Sequence, residues 1–430
     1  MNRIYLDYAA TTPVDPRVVR AMKPYFSDVF GNPSSLHYFG QQALAALDAS
    51  REAVADALHA DFREIIFTGS ATESNNLALR GTIRSAMQDQ KFKPRIIISA
   101  IEHESVRETA RDLERDGAEI VEIPVDRHGF ADLKKLEAAL NERTVLVSII
   151  YANNEIGTVQ PIAEISKVIR NFCDGPRVKG QVSRFPLFHT DAVQAFQFLP
   201  CVPSELGVDL MTISAHKIYG PKGIGALYAR VTGHGSRITS SGLKKISSLT
   251  HDPCSLTPTI TGGGQEFGLR SGTENVPSVI GFAKAVQIVS SARDRECARI
   301  LKIRDYFWKK LKGIAPRAEL NSGIKYQVSG VREEKREIFS LPNILNVYFP
   351  ETNAEHLITK LDLLGVAVSS GSACHTRASQ SSHVLEALGF SKEHARQCIR
   401  FSFGRPTTQA HIAAALKKIK NNIKILKSCK

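Results

Sequence analysis

Short apolar runs recur along the chain, separated by stretches in which apolar residues follow a helical spacing. Ile65–Thr68, Ile96–Ser99, Ala118–Ile123, Val145–Ile150, Leu187–Thr190, Leu210–Ser214 and Gly225–Tyr228 read as strands. Ser105–Asp116, Leu133–Leu140 and Ile162–Phe172 read as helices between them. This alternation predicts a mainly parallel sheet covered on both faces by helices, the α/β class. Residues 1–15 read as an extended arm, and residues 16–60 as mostly helical with a break at Gly31-Asn32-Pro33-Ser34-Ser35. A second, smaller α+β unit follows: helix Ile280–Leu311, strand Ile344–Phe349, helix Ala354–Leu364, a loop around Cys374, strand Ile399–Ser402 and a closing helix from about Gln409. The expected division is a large domain over 16–265 and a small one over 1–15 and 266–430, the latter with a cysteine-bearing loop over about 369–382. Polar stretches without periodicity at 174–185, 231–260 and 322–340 read as insertions, the middle one as a long loop.

The chain has 430 residues and is 43% hydrophobic, ample for a large core. Its formal net charge of +13 is dispersed and is densest in the C-terminal helix, from Lys417 to Lys430. Dispersed charge argues for a solvated surface over a nucleic-acid groove. Seven cysteines at wide spacing, with no Cys-x-x-Cys pair, predict neither a zinc site nor a disulfide framework. No apolar run is long enough to cross a bilayer and the first residues lack signal character, so a reducing, cytoplasmic setting is expected.

In open parallel sheets ligands bind beyond the carboxyl ends of the strands. There the sequence places Ser70-Ala71-Thr72 at a helix N-terminus, where free amides suit a phosphate, although serine and threonine also serve there as plain caps. His103 follows the second strand and could stack on a flat ring or be structural; Asn154 follows the fourth and could donate to a phenolate or cap a turn. Asp191 and Gln194 follow the fifth, where an aspartate is costly to bury unless paired, for instance with a pyridinium nitrogen. Lys217 follows the sixth, beside His216 and ahead of the tight Gly220-Pro221-Lys222-Gly223 turn. A partly desolvated amine loses basicity and can condense with an aldehyde such as pyridoxal phosphate.

Together with these, Tyr5-Leu6-Asp7-Tyr8-Ala9-Ala10-Thr11-Thr12, Ala71-Thr72-Glu73-Ser74-Asn75-Asn76, Asn153-Asn154-Glu155-Ile156-Gly157, Ser214-Ala215-His216-Lys217, Arg270-Ser271-Gly272-Thr273, Ser369-Ser370-Gly371-Ser372-Ala373-Cys374 and Arg400-Phe401-Ser402-Phe403-Gly404-Arg405 span nearly the whole chain. In these stretches it resembles the cysteine desulfurases of the class V, fold type I pyridoxal phosphate enzymes. The resemblance implies that Lys217 binds the cofactor covalently and that Ala71, Thr72, Ser214 and His216 hold its phosphate. It implies that His103 stacks on the ring and moves protons, that Asp191 pairs with the ring nitrogen, and that Asn154 and Gln194 contact ring substituents. Thr273 would reach the phosphate of a neighbouring subunit in a homodimer, and Arg400, with Asn32 nearby, would bind the substrate carboxylate.

By the same resemblance Cys374 would take sulfur from L-cysteine as a persulfide, releasing alanine, and pass it to an acceptor protein. An iron–sulfur scaffold, a thiolation carrier and a DNA-modifying system all remain open as the acceptor. As a lone cysteine Cys374 could be an inert small hydrophobe; its small, polar flanks favour a nucleophile whose reactive form is the thiolate. His375 departs from the commoner family pattern; it could help ionise Cys374 or merely face solvent, and it keeps a selenocysteine lyase open as the alternative. A transaminase would have no use for Cys374, and a non-enzymatic nucleic-acid-binding protein would have none for Lys217, Asp191 and His103.

Overall fold

A computed structural model describes residues 3–87, 93–175, 186–231, 256–321, 340–371 and 381–428. Its strands are β1 Ile4–Tyr5, β2 Ile65–Thr68, β3 Arg95–Ser99, β4 Glu119–Ile123, β5 Thr144–Ser148, β6 Leu187–Asp191, β7 Leu210–Ser214, β8 Gly225–Ala229, β9 Glu319–Leu320, β10 Ile344–Tyr348, β11 Val366–Ala367 and β12 Cys398–Ser402. Seven form one sheet in the order β2-β8-β7-β6-β5-β3-β4. Pairing from β7 to β4 is parallel throughout, whereas β8 lies antiparallel between β2 and β7. Six strands therefore point the same way and end at one edge, as the alternating pattern predicts. The reversed strand β8 was not foreseeable from its short apolar run.

Most predicted boundaries hold to within one or two residues, and the deviations have local causes. The apolar run of β5 continues to Ile150, yet the strand ends at Ser148. Beyond it the Ile150 amide turns to the side chain of Glu102, donating to Oε1 at 2.6 Å. The predicted helix from Ile280 begins earlier, at Val276, because Asn275 caps it by accepting from the Ser278 amide and Pro277 fits the first turn. This helix, Val276–Ile314, has 39 residues, or roughly 58 Å of length. Its first half buries Val279, Phe282 and Val286 against the large sheet's core, and its second half buries Ile300, Phe307 and Leu311 in another core.

That second core is closed by an antiparallel sheet, β12-β10-β9, and by the pairing of β1 with β11. The arm predicted for residues 1–15 runs from β1 past β12, where the Ser402 amide donates to the Leu6 carbonyl at 2.8 Å. It then reaches the Lys217 turn, where Thr12 donates to the His216 carbonyl at 3.0 Å. Most of the three predicted insertions (residues 176–185, 232–255 and 322–339) lies outside the described residues.

The edge strand β2 is held by a buried ion pair. The Arg51 guanidinium meets both oxygens of Glu266, at 2.6 and 2.8 Å, and stacks 4.9 Å from the ring centres of Phe67 and Phe267. Glu266 also accepts from the Phe67 amide at 2.8 Å, which satisfies a donor on the edge strand. Removing one member of such a pair strands the other charge. Glu266→Ala is expected to lose about 3–5 kcal/mol of unfolding free energy in urea titrations.

Candidate active site

The shared edge of the six co-directional strands opens into a cavity of about 220 Å³. Its walls come from the segments that follow five of those strands, from Ala71 and Thr72 after β2 to Lys217 after β7, and from Ala9, Ala10 and Arg400; the loop after the outer strand β4 takes no part. Ala71 begins a helix, Ala71–Ala86, capped by Ser70, whose hydroxyl accepts from the Glu73 amide at 3.1 Å. Gly225 lets this helix start seat against the sheet, since a Cβ there would lie 2.8 Å from the Ala71 nitrogen. The cavity thus receives the positive end of a 16-residue helix, a natural anion seat.

Lys217 Nζ donates to the carbonyls of Ala9 and Ala10, at 2.6 and 2.9 Å, so the N-terminal arm holds the amine at the cavity wall. Gln194 donates to the same Ala9 carbonyl at 2.9 Å. His216 next to it is pushed down to about 4, by burial first and then by the neighbouring positive charges of Lys217 and Lys222. It is neutral at pH 7, and its Nδ1 lies 3.2 Å from the Thr11 hydroxyl. Arg400 is buried and bonded to the Asp7 carboxylate and the Asn154 carbonyl, each at 2.8 Å.

The carboxylate of Asp191 is fixed by two donors: the Val193 amide to Oδ1 at 3.0 Å and Asn75 Nδ2 to Oδ2 at 2.9 Å. Because Asn75 Nδ2 faces a carboxylate, it is the donor to Ser105 Oγ as well, at 2.8 Å. The Ser105 hydroxyl proton is then left for His103 Nδ1, 2.8 Å away, which also accepts from the Ser105 amide at 3.1 Å. With Nδ1 accepting twice, the neutral imidazole of His103 must carry its proton on Nε2. Burial keeps His103 neutral by lowering its pKa, opposed by Asp191 and reinforced by Lys217.

Beneath this layer, His189 is buried between the Ser148 and Thr212 hydroxyls, at 2.8 and 3.1 Å, and burial pushes it down to about 4. Glu102 is buried too, and burial pushes it up to about 8 although Oε1 accepts from Ser99 and the Ile150 amide. A protonated Glu102 removes a second negative charge from beside Asp191.

The structure therefore brings together Ala71, Thr72, His103, Asn154, Asp191, Gln194, His216, Lys217 and Arg400 around one cavity. Ser214 is buried at the end of β7 and does not line it. Thr273 is exposed and lines a separate cavity of about 140 Å³ with Gly69 and Arg270. Asn32 is exposed, its side chain accepting from the Ser34 amide at 2.9 Å. Cys374 and His375 lie outside the described residues. The sequence reading assigned no role to Asn75, Ser105 or Glu102; the sole signal for them was polar residues amid apolar neighbours, with no pattern to name their partners.

The chain matches the family model for aminotransferase class V over residues 4–414. It belongs to that family. Curated members similar to it include a cysteine desulfurase IscS of Dictyoglomus turgidum, 40% identical over 99% of this chain and 96% of the relative. Another is a cysteine desulfurase IscS of Klebsiella pneumoniae, 42% identical over 98% of this chain and 92% of the relative. Among solved structures, a NifS-like protein superposes with a TM-score of 0.81 at 33% identity, covering 99% of this chain and all of the other. A NifS-like protein from Rickettsia africae superposes with a TM-score of 0.78 at 32% identity, covering 98% and 100%. Class V aminotransferases of this kind are pyridoxal phosphate enzymes with a mainly parallel central sheet.

The protonation of Glu102 has a measurable sign. Between its ordinary 4.5 and about 8 the folded protein keeps a proton that the unfolded chain has released. Glu102 therefore contributes stability at low pH that is lost as pH rises through that window. The unfolding free energy of the parent relative to Glu102→Gln should fall across it, as read from urea midpoints at a series of pH values.

Proposed function

We propose that this protein is a cysteine desulfurase that moves the sulfur of L-cysteine onto Cys374 and releases L-alanine. The observation that carries this is the convergence of Lys217, His103, Asp191, a helix N-terminus and Arg400 on one cavity, in a chain about 40% identical, end to end, to curated cysteine desulfurases. The donor set fits pyridoxal phosphate. Amides at Ala71 and Thr72 suit its phosphate, Asp191 offers an oriented acceptor for its ring nitrogen, and Lys217 offers the amine. Arg400 Nε is buried without a hydrogen-bond partner among the described residues, as expected where an anionic substrate would complete the site.

When bound, the group supplies an electron sink that loosens bonds at the substrate's α-carbon. Lys217 would hold it and would carry the substrate's α-proton. Ala71, Thr72 and His216 would seat the phosphate, with Ser214 acting from behind the cavity wall, and Asp191 would keep the ring nitrogen protonated. Asn154 and Gln194 would face ring substituents, and Arg400 would receive the substrate carboxylate. His103, neutral with its proton on Nε2, would lie against the ring and present a hydrogen-bond donor. The Cys374 thiolate attacks the substrate sulfur: the carbon–sulfur bond breaks, a sulfur–sulfur bond forms, and the carbon takes up a proton to leave as alanine.

The same reading makes the protein a cytoplasmic homodimer divided at about residue 265, with Thr273 serving the partner's phosphate site. Two features support the dimer: Thr273 stands away from its own chain's main cavity, and Phe30, Leu36 and Tyr38 expose large apolar surface beside Asn32. Among the described residues no helix is long and apolar enough to cross a membrane. An acceptor protein with an iron–sulfur or thio-modification role takes the persulfide onward.

Purified protein should absorb as a pyridoxal phosphate enzyme, and Lys217→Ala should abolish alanine formation, a loss of at least about 10³-fold for a covalent and acid–base group. Cys374→Ala should keep the absorbance and its response to L-cysteine while forming no persulfide. Equal release of alanine by Cys374→Ala would contradict the reading, and preference for L-selenocysteine over L-cysteine would move it to a lyase.

A further inference from the structure

Asn154 lines the cavity, yet Glu155, next in the chain, is buried and serves a different neighbour. Its backbone is locked from two sides. Asn153 Oδ1 accepts from the amides of Glu155 and Ile156 at 2.8 and 3.0 Å, and Asn346 Nδ2 donates to the Glu155 carbonyl at 3.3 Å. A carboxyl group held this rigidly in the interior is costly without partners.

Glu155 Oε2 accepts from Ser382 Oγ at 2.6 Å. The same oxygen packs on Gly371, where an added Cβ would lie only 2.8 Å from it. Gly371 has φ +136°, a conformation that favours glycine, so the close approach and the backbone twist require the same residue. Gly371 and Ser382 flank the segment that carries Cys374. Both flanks hang on elements of the cavity. Ser369 exchanges backbone hydrogen bonds with Arg400, at 2.7 and 3.3 Å, and His383 Nε2 lies 3.0 Å from the Glu102 carbonyl, just before His103.

We infer that Glu155 is a positioning residue that ties both ends of the Cys374 segment to the strand end bearing Asn154, and so sets where the thiol meets the substrate sulfur. This rests on Cys374 being the sulfur acceptor. Glu155 is not in contact with the reacting atoms; it acts through Gly371 and Ser382. The cost of losing it falls on delivery of the thiol and spares the binding of cofactor and amino acid.

The test compares parent holoenzyme with Glu155→Ala, Ser382→Ala and the double variant. Cofactor absorbance and its change on titration with L-cysteine report the cavity. Persulfide on Cys374, trapped by an alkylating probe in a single turnover and read by mass spectrometry, reports delivery. In Glu155→Ala the persulfide rate is expected to fall about 10- to 100-fold, as for a misplaced reacting group, while half-saturating L-cysteine stays within about twofold. Ser382→Ala should fall in the same direction, and the double variant should be no slower than Glu155→Ala, because both remove one contact. A parental persulfide rate in Glu155→Ala, or a matching loss of the spectral response to L-cysteine, overturns the inference. Gly371→Ala, which presses a methyl on Glu155 Oε2, should show the same selective loss even if Glu155→Ala does not fold; a parental rate there also counts against it. A parent holoenzyme that responds to L-cysteine but forms no persulfide on Cys374 fails the activity reading itself, and the anchor falls with it.

Discussion

The site depends on keeping several charges at one sheet edge without letting them cancel or collapse. Asp191, Lys217 and Arg400 surround a cavity of about 220 Å³, and a buried charge is tolerated only when donors or opposite charges meet it. The protein meets this by neutralising four of the titratable groups around them and pairing Arg400 with Asp7. Burial leaves His103, His189 and His216 unprotonated and Glu102 protonated. What remains charged is then held by hydrogen bonds with little freedom, from Asn75 and Val193 to Asp191, and from Lys217 and Arg400 to the arm and Asn154. This is the pre-organised polar environment that a charge-separating reaction needs.

Much of the frame was legible in the sequence because it rests on local signals. Short apolar runs, such as Leu210–Ile213, can be read as buried strands without knowing their neighbours, and a lysine or aspartate just beyond such a run stands out as a cost needing a reason. The parallel sheet then collects those steps at one edge, so nine of the residues singled out meet around a single cavity. Three do not. Ser214 stays within its strand end, and Thr273 and Asn32 face outward on this chain.

What the sequence hid is pairing over distance. Asn75 and Asp191 are 116 residues apart, and Asn75 and Ser105 are 30 apart, yet together they decide which nitrogen of His103 bears its proton. Nothing in the spacing of Glu102 says that it is buried and protonated; that follows only once β3 and β5 lie side by side and the Ile150 amide is turned toward it. Likewise the reversal of β8, and the two-residue pairing of β1 with β11, follow from where neighbouring elements leave space, which a short apolar run does not encode.

The threading of the N-terminal arm has a consequence for how the molecule is made. Asp7 binds Arg400, Ala9 lies within reach of Ser402, and Ala9 and Ala10 hold Lys217. Asp7 thus finds Arg400, 393 positions further along, only when the chain between them has been synthesised. Contacts of such long sequence separation come late in folding. The large sheet can assemble before that, but the cavity wall is completed only once Arg400 has been made, so a product truncated ahead of it would keep the amine's cradle and lack the guanidinium.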